Sequence, residues 1–238
     1  MSWLAEEDPR RAELAGAMRS GGIAGARVAI DRYVPGDVDR AMCQSMIEDW
    51  IDARIRRPQV PFWTLLEQLD DTHSDALRVL KRDPRLYYEA VGSLQLVAAW
   101  RRFFWPAWLS RRISLGVYGS AASQLNIPTP PGGGTWIPNN VQPEIYARGK
   151  VAININAGHD ESGMTHKPFQ IGASGMPCLH HATRHIDECF ESGEEIITWD
   201  RGPDLVEAIR DLAGKPKKRV ALGEAMRSRV ERDHDWQH

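Results

Sequence analysis

The chain has 238 residues and a formal net charge of −2 at pH 7, with 42% hydrophobic and 26% charged residues. This composition is typical of a globular protein with a sizeable core, excludes a disordered or collagen-like chain, and argues against a broad surface for nucleic acid. The three cysteines, Cys43, Cys178 and Cys189, form no CxxC pair, so we expect no disulfide framework. No apolar run is long enough to cross a bilayer and the N-terminus lacks the order of a signal peptide, so the sequence predicts a cytoplasmic protein without a transmembrane segment.

The first 110 residues have the pattern of a mainly helical segment. An apolar stripe over residues 37–56 predicts one amphipathic helix, and further helical patterns cover 62–71, 73–82 and 84–100. Residues 8–20 also look helical. The small-residue sequence that follows leaves ARVAI, at 26–30, open as a strand after a glycine turn.

From about residue 111, short apolar runs alternate with helical segments, which is the pattern of β/α units. Strands are predicted at 113–119, 151–156, 176–181 and 195–199, and helices at 141–149, 166–175, 184–193, 203–214 and close to the C-terminus. We therefore predict two domains, a helical segment at 1–110 and an α/β domain at 111–238 with a Rossmann-like parallel sheet and right-handed crossovers.

The carboxyl ends of the strands are where function is expected in such a sheet. Gly119 and Ser120 end the first predicted strand, where a glycine allows close approach of a ligand or simply makes a turn. A polar loop after the second strand runs into a helix at Thr165, His166 and Lys167. Free backbone N–H groups and a lysine at a helix start predict an anion site, and the alternative is a solvated loop with a threonine cap.

The order of the segments resembles a known family. KVAIN (150–154), KPFQ (167–170), ASG (173–175), FESGE (190–194), Asp204-Leu205 and a tail from Arg229 to His234 follow one another as in the C-terminal domain of GT-B glycosyltransferases, in particular the spore-maturation (CgeB-like) branch. The resemblance covers about residues 113–238 and, more weakly, the helices before them. It implies a domain that binds a nucleotide-sugar donor for transfer to an unknown acceptor, with no cofactor and no obligatory metal.

The resemblance also implies roles for individual residues. The diphosphate would lie at the helix start, the ribose hydroxyls on residue 170, and the base beside Trp136–Pro138. The residues that would bind the donor are Gly119, Ser120, Trp136, Ile137, Gly163, Met164, Thr165, His166, Lys167 and Gln170, and those that would contact the sugar are Asp160, Glu161, Ser162, His180 and His181. No catalytic residue is assigned.

This chain departs from the family pattern at two positions. Gln170 replaces a glutamate, which keeps an acceptor oxygen without its charge, and Lys167 replaces an arginine, which keeps the charge without the bidentate fork. The first 110 residues also lack the alternation of an N-terminal GT-B domain, so we expect a fragment of a longer protein, or a separate N-terminal domain or partner chain. The alternative hypothesis is a non-catalytic, degenerate donor domain that acts as an interaction or assembly module.

Two further patterns suggest competing sites. His181, His185 and Cys189 are spaced by four residues, as zinc ligands on one helix would be, but we expect His181 before the helix and predict no metal. RRFFWPAWLSRR, at 101–112, interleaves arginines with aromatic residues and could dock on a membrane or a nucleic acid. Packing of Phe103, Phe104, Trp105 and Trp108 between domains is the favoured alternative, and no nucleic-acid partner is predicted.

Overall fold

The computed structural model describes residues 9–57, 60, 62–98, 100–118, 137–155, 164–183 and 185–234. The chain divides into two compact units: the described residues up to 101 form the N-terminal unit, and those from 102 onwards form the C-terminal unit. Within the described ranges, all regular secondary structure of the N-terminal unit is helical, whereas the C-terminal unit combines helices with a parallel sheet. The fold is therefore α/β with a Rossmann-like sheet preceded by a helical segment.

The helices of the N-terminal unit follow the predicted order. They are α1 (Pro9–Tyr33), α2 (Asp37–Arg56), α3 (Phe62–Gln68), α4 (Asp70–Arg82) and α5 (Pro84–Ala98). Helix α1 packs against α2 and α5, and α4 packs against the same two helices. The predicted interruption between 62–71 and 73–82 is confirmed in part, because His73 has non-helical dihedral angles of φ −131° and ψ 30° inside α4.

The alternative of a strand at 26–30 is wrong, because α1 continues through this segment. Ala26, Ala29, Ile30 and Val34 are each at most 2% exposed and lie at helical spacing in the core of the N-terminal unit. The apolar face of the helix, rather than the β-branched residues in it, therefore decides the conformation.

The C-terminal unit contains a three-stranded sheet with helical connections. Its elements are α6 (Trp100–Leu109, of which residues 102–109 lie in this unit), a 3-10 turn (Asn139–Val141), α7 (Gln142–Tyr146), β1 (Ala152–Asn154), α8 (Lys167–Ala173), β2 (Cys178–His181), α9 (Ile186–Cys189), β3 (Ile197–Trp199), α10 (Gly202–Gly214) and α11 (Pro216–Asp233). The strands are parallel in the order β1-β2-β3. Asn154, His180 and Thr198 are register partners across them.

Two predictions for this unit need correction. The described residues 113–118 of the predicted strand at 113–119 form no strand, and Ser114 and Gly116 are exposed. These residues gain no ladder partner within the described chain, so an apolar, β-branched run alone does not make a strand here. The helix predicted over 184–193 is the short α9, and Gly193, with φ +93°, lies in the turn before β3 instead of closing a helix.

The predicted end of α8 is confirmed at Gly175, whose φ of +72° is the left-handed conformation that glycine allows at a helix end. Helix α11 lies directly against this end. A Cβ built on Gly223 of α11 would stand 2.1 Å from the carbonyl oxygen of Gly175, and one on Gly172 would stand 2.9 Å from Met226. Small residues on both helices thus allow α8 and α11 to approach closely beside the sheet.

Candidate functional site

Eight of the residues predicted to bind the donor or its sugar lie in the described part of the chain: Ile137, Met164, Thr165, His166, Lys167, Gln170, His180 and His181. The other seven lie outside the described residues: Gly119, Ser120, Trp136, Asp160, Glu161, Ser162 and Gly163. The described candidates fall into one group around α8 and a second group at the end of β2.

Lys167 is the first residue of α8, and its ammonium group joins α8 to α7. Its Nζ donates hydrogen bonds to Oε1 of Gln142 on α7 at 2.7 Å and to Oε1 of Gln170 on α8 at 3.0 Å. All three side chains are half-buried. Lys167 and Gln170 meet because residues three apart share one face of a helix. The structure therefore brings together the two family-derived candidates that the sequence placed at this helix start.

Both the oxygen and the nitrogen of the Gln142 side-chain amide are hydrogen-bonded to other residues. The hydroxyl of Tyr146 donates to Gln142 Oε1 at 3.3 Å, while Gln142 Nε2 donates to Asn139 Oδ1 at 2.9 Å and to the carbonyl oxygen of Ile137 at 3.3 Å. Burial raises the pKa of Tyr146, with a smaller contribution from Cys178, so the phenol keeps its proton and remains a donor at neutral pH. The candidate Ile137 is thus linked to Lys167 through one side chain.

Gln142 and Tyr146 did not emerge from the sequence as site residues. Their spacing of four residues does predict that they share a helix face. Their position beside Lys167, however, depends on how α7 packs against α8, across 25 residues of chain. No pattern within α7 distinguishes this pair from an ordinary solvated face.

The three residues before α8 have different surroundings. The hydroxyl of Thr165 accepts the backbone N–H of Lys167 at 3.4 Å, which is a weak helix cap. Met164 is half-buried against the core of the C-terminal unit. His166 is exposed to solvent at the cap position. Thr165 therefore stabilises the helix start and Met164 contributes to packing, while His166 is open to a ligand.

The second group is a polar row across the sheet. Because Asn154, His180 and Thr198 are register partners, their side chains lie on the same face of the sheet near its carboxyl edge. Asn154 is 8% exposed and His180 is fully buried. The hydroxyls of Thr198 and Ser192 share a hydrogen bond at 2.7 Å. Along the strands, these polar residues thus come after the apolar core residues on the same face of the sheet, as Asn154 comes after Ala152.

His180 is held as a neutral imidazole. Burial lowers its pKa to about 4, although the hydrogen bond between Nδ1 and the carbonyl oxygen of His181 opposes this effect. The carbonyl requires a proton on Nδ1, so Nε2 is left as an acceptor. Among the described residues nothing donates to Nε2. The expected contact of His180 with a sugar remains a prediction, and this acceptor is the group that would make it.

His181 lies on the opposite face of the sheet from His180, because consecutive strand residues alternate. Its ring meets that of Trp199 edge to face with centroids 4.8 Å apart, and Trp199 meets Trp105 in the same way at 5.0 Å. The two histidines that the sequence grouped together therefore have separate surroundings.

The spacing of His181, His185 and Cys189 does not produce three residues on one helix. His181 is in β2, His185 precedes α9, and Cys189 is its last residue. His185 Nδ1 is paired with Glu188 Oε1 at 2.7 Å. Within the described ranges, no cluster of three or more His, Cys, Asp or Glu residues is arranged to bind a metal ion.

The segment at 101–112 buries its tryptophans inside the C-terminal unit. Trp105 and Trp108 are 2% and 7% exposed, and a Cβ on Gly202 would stand 2.8 Å and 2.7 Å from their rings. The guanidinium group of Arg112 lies 3.8 Å from the ring centroid of Trp108. Packing thus accounts for both tryptophans, but it lies within the C-terminal unit and not between domains as the sequence suggested, and the side chains of Phe103 and Phe104 lie outside the described part of the chain. In the described parts of the chain, no helix combines the length and apolarity needed to span a bilayer.

A comparison with known protein families gives the class of protein to which the chain belongs. Residues 77–238, more than half of the chain, match the glycosyl transferase-like family. The chain belongs to this family. The match begins before the region in which the sequence resemblance was strongest, since it includes α5 and part of α4. Neither the curated proteins nor the solved structures that were searched gave a significant match.

Proposed function

We propose that the chain is the donor-binding half of a GT-B glycosyltransferase that uses a nucleotide-sugar donor. Membership of the glycosyl transferase-like family supports glycosyl transfer as the type of reaction. The observation that carries the proposal is the hydrogen-bonded group of Lys167, Gln142 and Gln170, which lies within the matched region where the chain from β1 enters α8. The order of the segments KVAIN, KPFQ and FESGE supports the spore-maturation (CgeB-like) branch as the proposed form of the enzyme.

In the proposed mechanism, Lys167 lies beside the pyrophosphate of the donor. An acceptor hydroxyl attacks the anomeric carbon, the bond from that carbon to the pyrophosphate oxygen breaks, and its electron pair leaves with the nucleoside diphosphate. A fixed cation stabilises the charge that develops on the leaving group. The acceptor proton passes to a base that is not assigned, and the acceptor is bound by a separate domain or partner chain.

The remaining candidates have supporting roles in this proposal. The base would lie beside Trp136–Pro138, and the residues for the sugar would be Asp160, Glu161 and Ser162 with Nε2 of His180. A buried acceptor supports the last of these, because buried polar groups almost always have a hydrogen-bond partner and no described residue supplies one here.

The proposal is tested by a thermal-shift screen of the full chain with UDP-, GDP-, ADP- and dTDP-sugars. A ligand at one hundred times its dissociation constant adds about 2.7 kcal/mol to the free energy of unfolding, which is readily measured. We expect stabilisation by the sugars of one nucleotide, without added metal. If no nucleotide sugar stabilises the chain, the donor-binding proposal is wrong.

Lys167→Ala should weaken binding of the stabilising nucleotide sugar at least tenfold, since a hydrogen bond to a charged group contributes about 1.5–3 kcal/mol. Affinity is compared with that of Lys217→Ala, which removes the same charge from an exposed position on α11. An equal effect of both substitutions would indicate general electrostatic attraction. Both hypotheses expect donor binding without transfer by this chain alone, so the non-catalytic module is favoured only if transfer is still absent when an acceptor-binding domain or partner chain is added.

A further inference from the structure

The side-chain amide of Gln170 has a defined orientation. An ammonium group can only donate, so the atom of Gln170 that lies 3.0 Å from Lys167 Nζ is the acceptor oxygen. The NH₂ group is therefore directed away from Lys167. No described residue accepts a hydrogen bond from it, and the side chain is only half-buried. Gln170 thus presents two N–H donors beside a cation.

A chain of hydrogen bonds maintains this orientation. The NH₂ group of Gln142 is bound to Asn139 and Ile137, so its oxygen faces Lys167 and Tyr146. Lys167 then donates to both glutamines. A reversed amide at Gln142 or Gln170 would place an NH₂ group against the ammonium and leave its oxygen without that donor.

These donors are suited to a different ligand group from the one that the family resemblance implies for this position. A ribose diol bound through its two hydroxyl protons needs an acceptor with free lone pairs, as a carboxylate provides. The oxygen of Gln170 already accepts from Lys167, so it has one lone pair left and cannot accept from both hydroxyls of a diol. An ammonium group and an adjacent NH₂ group instead match an acceptor-only group, such as the phosphoryl oxygens of a pyrophosphate.

We propose that Gln170 is a binding residue that donates a hydrogen bond to a phosphoryl oxygen of the donor, and that Gln142 is a positioning residue that acts through Lys167. This inference rests on the proposed function and changes one role that the family resemblance implies: residue 170 binds the pyrophosphate and not the ribose. The glutamine that replaces the family glutamate then binds a different part of the donor, instead of binding the same part more weakly.

Gln170→Glu separates the two roles because they predict opposite signs. Calorimetry on the full chain measures the affinity for UDP, GDP, ADP and dTDP, with inorganic pyrophosphate as a second probe. A carboxylate at residue 170 would repel phosphate and pair with Lys167, so we expect at least tenfold weaker binding. Gln170→Leu should lose about tenfold, as expected when a hydrogen bond to a charged group is removed. Gln68→Leu on α3 is the matched control at an exposed glutamine and should bind as the wild type does.

Each outcome is decisive. Tighter binding by Gln170→Glu, or unchanged binding by Gln170→Leu, overturns the inference while the wild-type affinity still supports donor binding. Failure of the wild-type chain to bind any nucleoside diphosphate or pyrophosphate overturns the proposed function and this inference with it. For Gln142, a double-mutant cycle is the readout: in the Gln142→Leu background the effect of Gln170→Leu should fall to less than about threefold, and an unchanged effect contradicts the positioning role.

Discussion

Three helical glycines from each unit differ in what surrounds them. In the N-terminal unit, no described atom lies within 4 Å of the place where a Cβ would stand at Gly16, Gly21 and Gly92. In the C-terminal unit, a Cβ would come within 3.0 Å of another residue at Gly172, Gly202 and Gly223. The first set tolerates a side chain, whereas the second set makes close helix packing possible.

The buried polar residues differ between the units as well. In the N-terminal unit the described example is Arg54, whose Nη1 donates to the carbonyl oxygen of Val60 at 2.6 Å. In the C-terminal unit they are Asn154 and His180, which are neighbours on the sheet. The helical unit thus uses its interior polar group to hold its own backbone. The α/β unit places polar groups together where its strands end, and this is the arrangement that a ligand site needs.

Gly223→Ala should have the largest effect, because its Cβ would stand 2.1 Å from the backbone oxygen of Gly175. Backbone cannot move aside as a side-chain end can, so we expect the free energy of unfolding to fall by about 3 kcal/mol, the upper part of the range for overpacking. Urea denaturation measures the change. Gly214→Ala, where no described atom lies within 4 Å, is the control and should stay within about 1 kcal/mol of the wild type. Equal stability of the two variants would contradict the close contact of α8 and α11.

His180 should make the stability of the C-terminal unit sensitive to acid. Its pKa is about 4 in the folded chain and 6.5 as a model value, so below pH 6.5 the unfolded state binds the proton more readily. Stability is therefore complete above pH 6.5 and decreases as the pH falls towards 4, by about 2 kcal/mol between pH 7 and pH 5. Urea denaturation at both pH values should show a smaller difference for His180→Gln than for the wild type. An unchanged difference would mean that His180 is not the titrating group.

Much of the fold could be predicted from local signals in the sequence. The apolar stripe at 37–56 and the glycine at 175 correspond to α2 and to the end of α8. The failures at 26–30 and 113–119 share a cause. Both segments are rich in small and β-branched residues, and their conformation depends on what packs or pairs with them. That information lies in other parts of the chain.

The candidate site was predictable to a similar extent. Lys167 and Gln170 meet because three residues separate them on one helix, and a sequence pattern can show this. The separation of His180 from His181 also follows from strand alternation. Gln142 could not be predicted, because its contact with Lys167 arises from tertiary packing of two short helices. The orientation of the Gln170 amide depends in turn on that contact.

Gly92→Ala tests the comparison from the N-terminal side and should have the smallest effect, with the opposite sign to Gly223→Ala. Gly92 is exposed within α5, and no described atom lies within 4 Å of its Cβ position. Alanine restricts the unfolded chain more than glycine does and fits the helix without strain, so we expect the free energy of unfolding to rise by about 0.5–1 kcal/mol. Thermal and urea denaturation should agree on the sign. A loss of stability would show that residue 92 is packed as tightly as the crowded glycines, and the contrast between the two units would then not hold for α5.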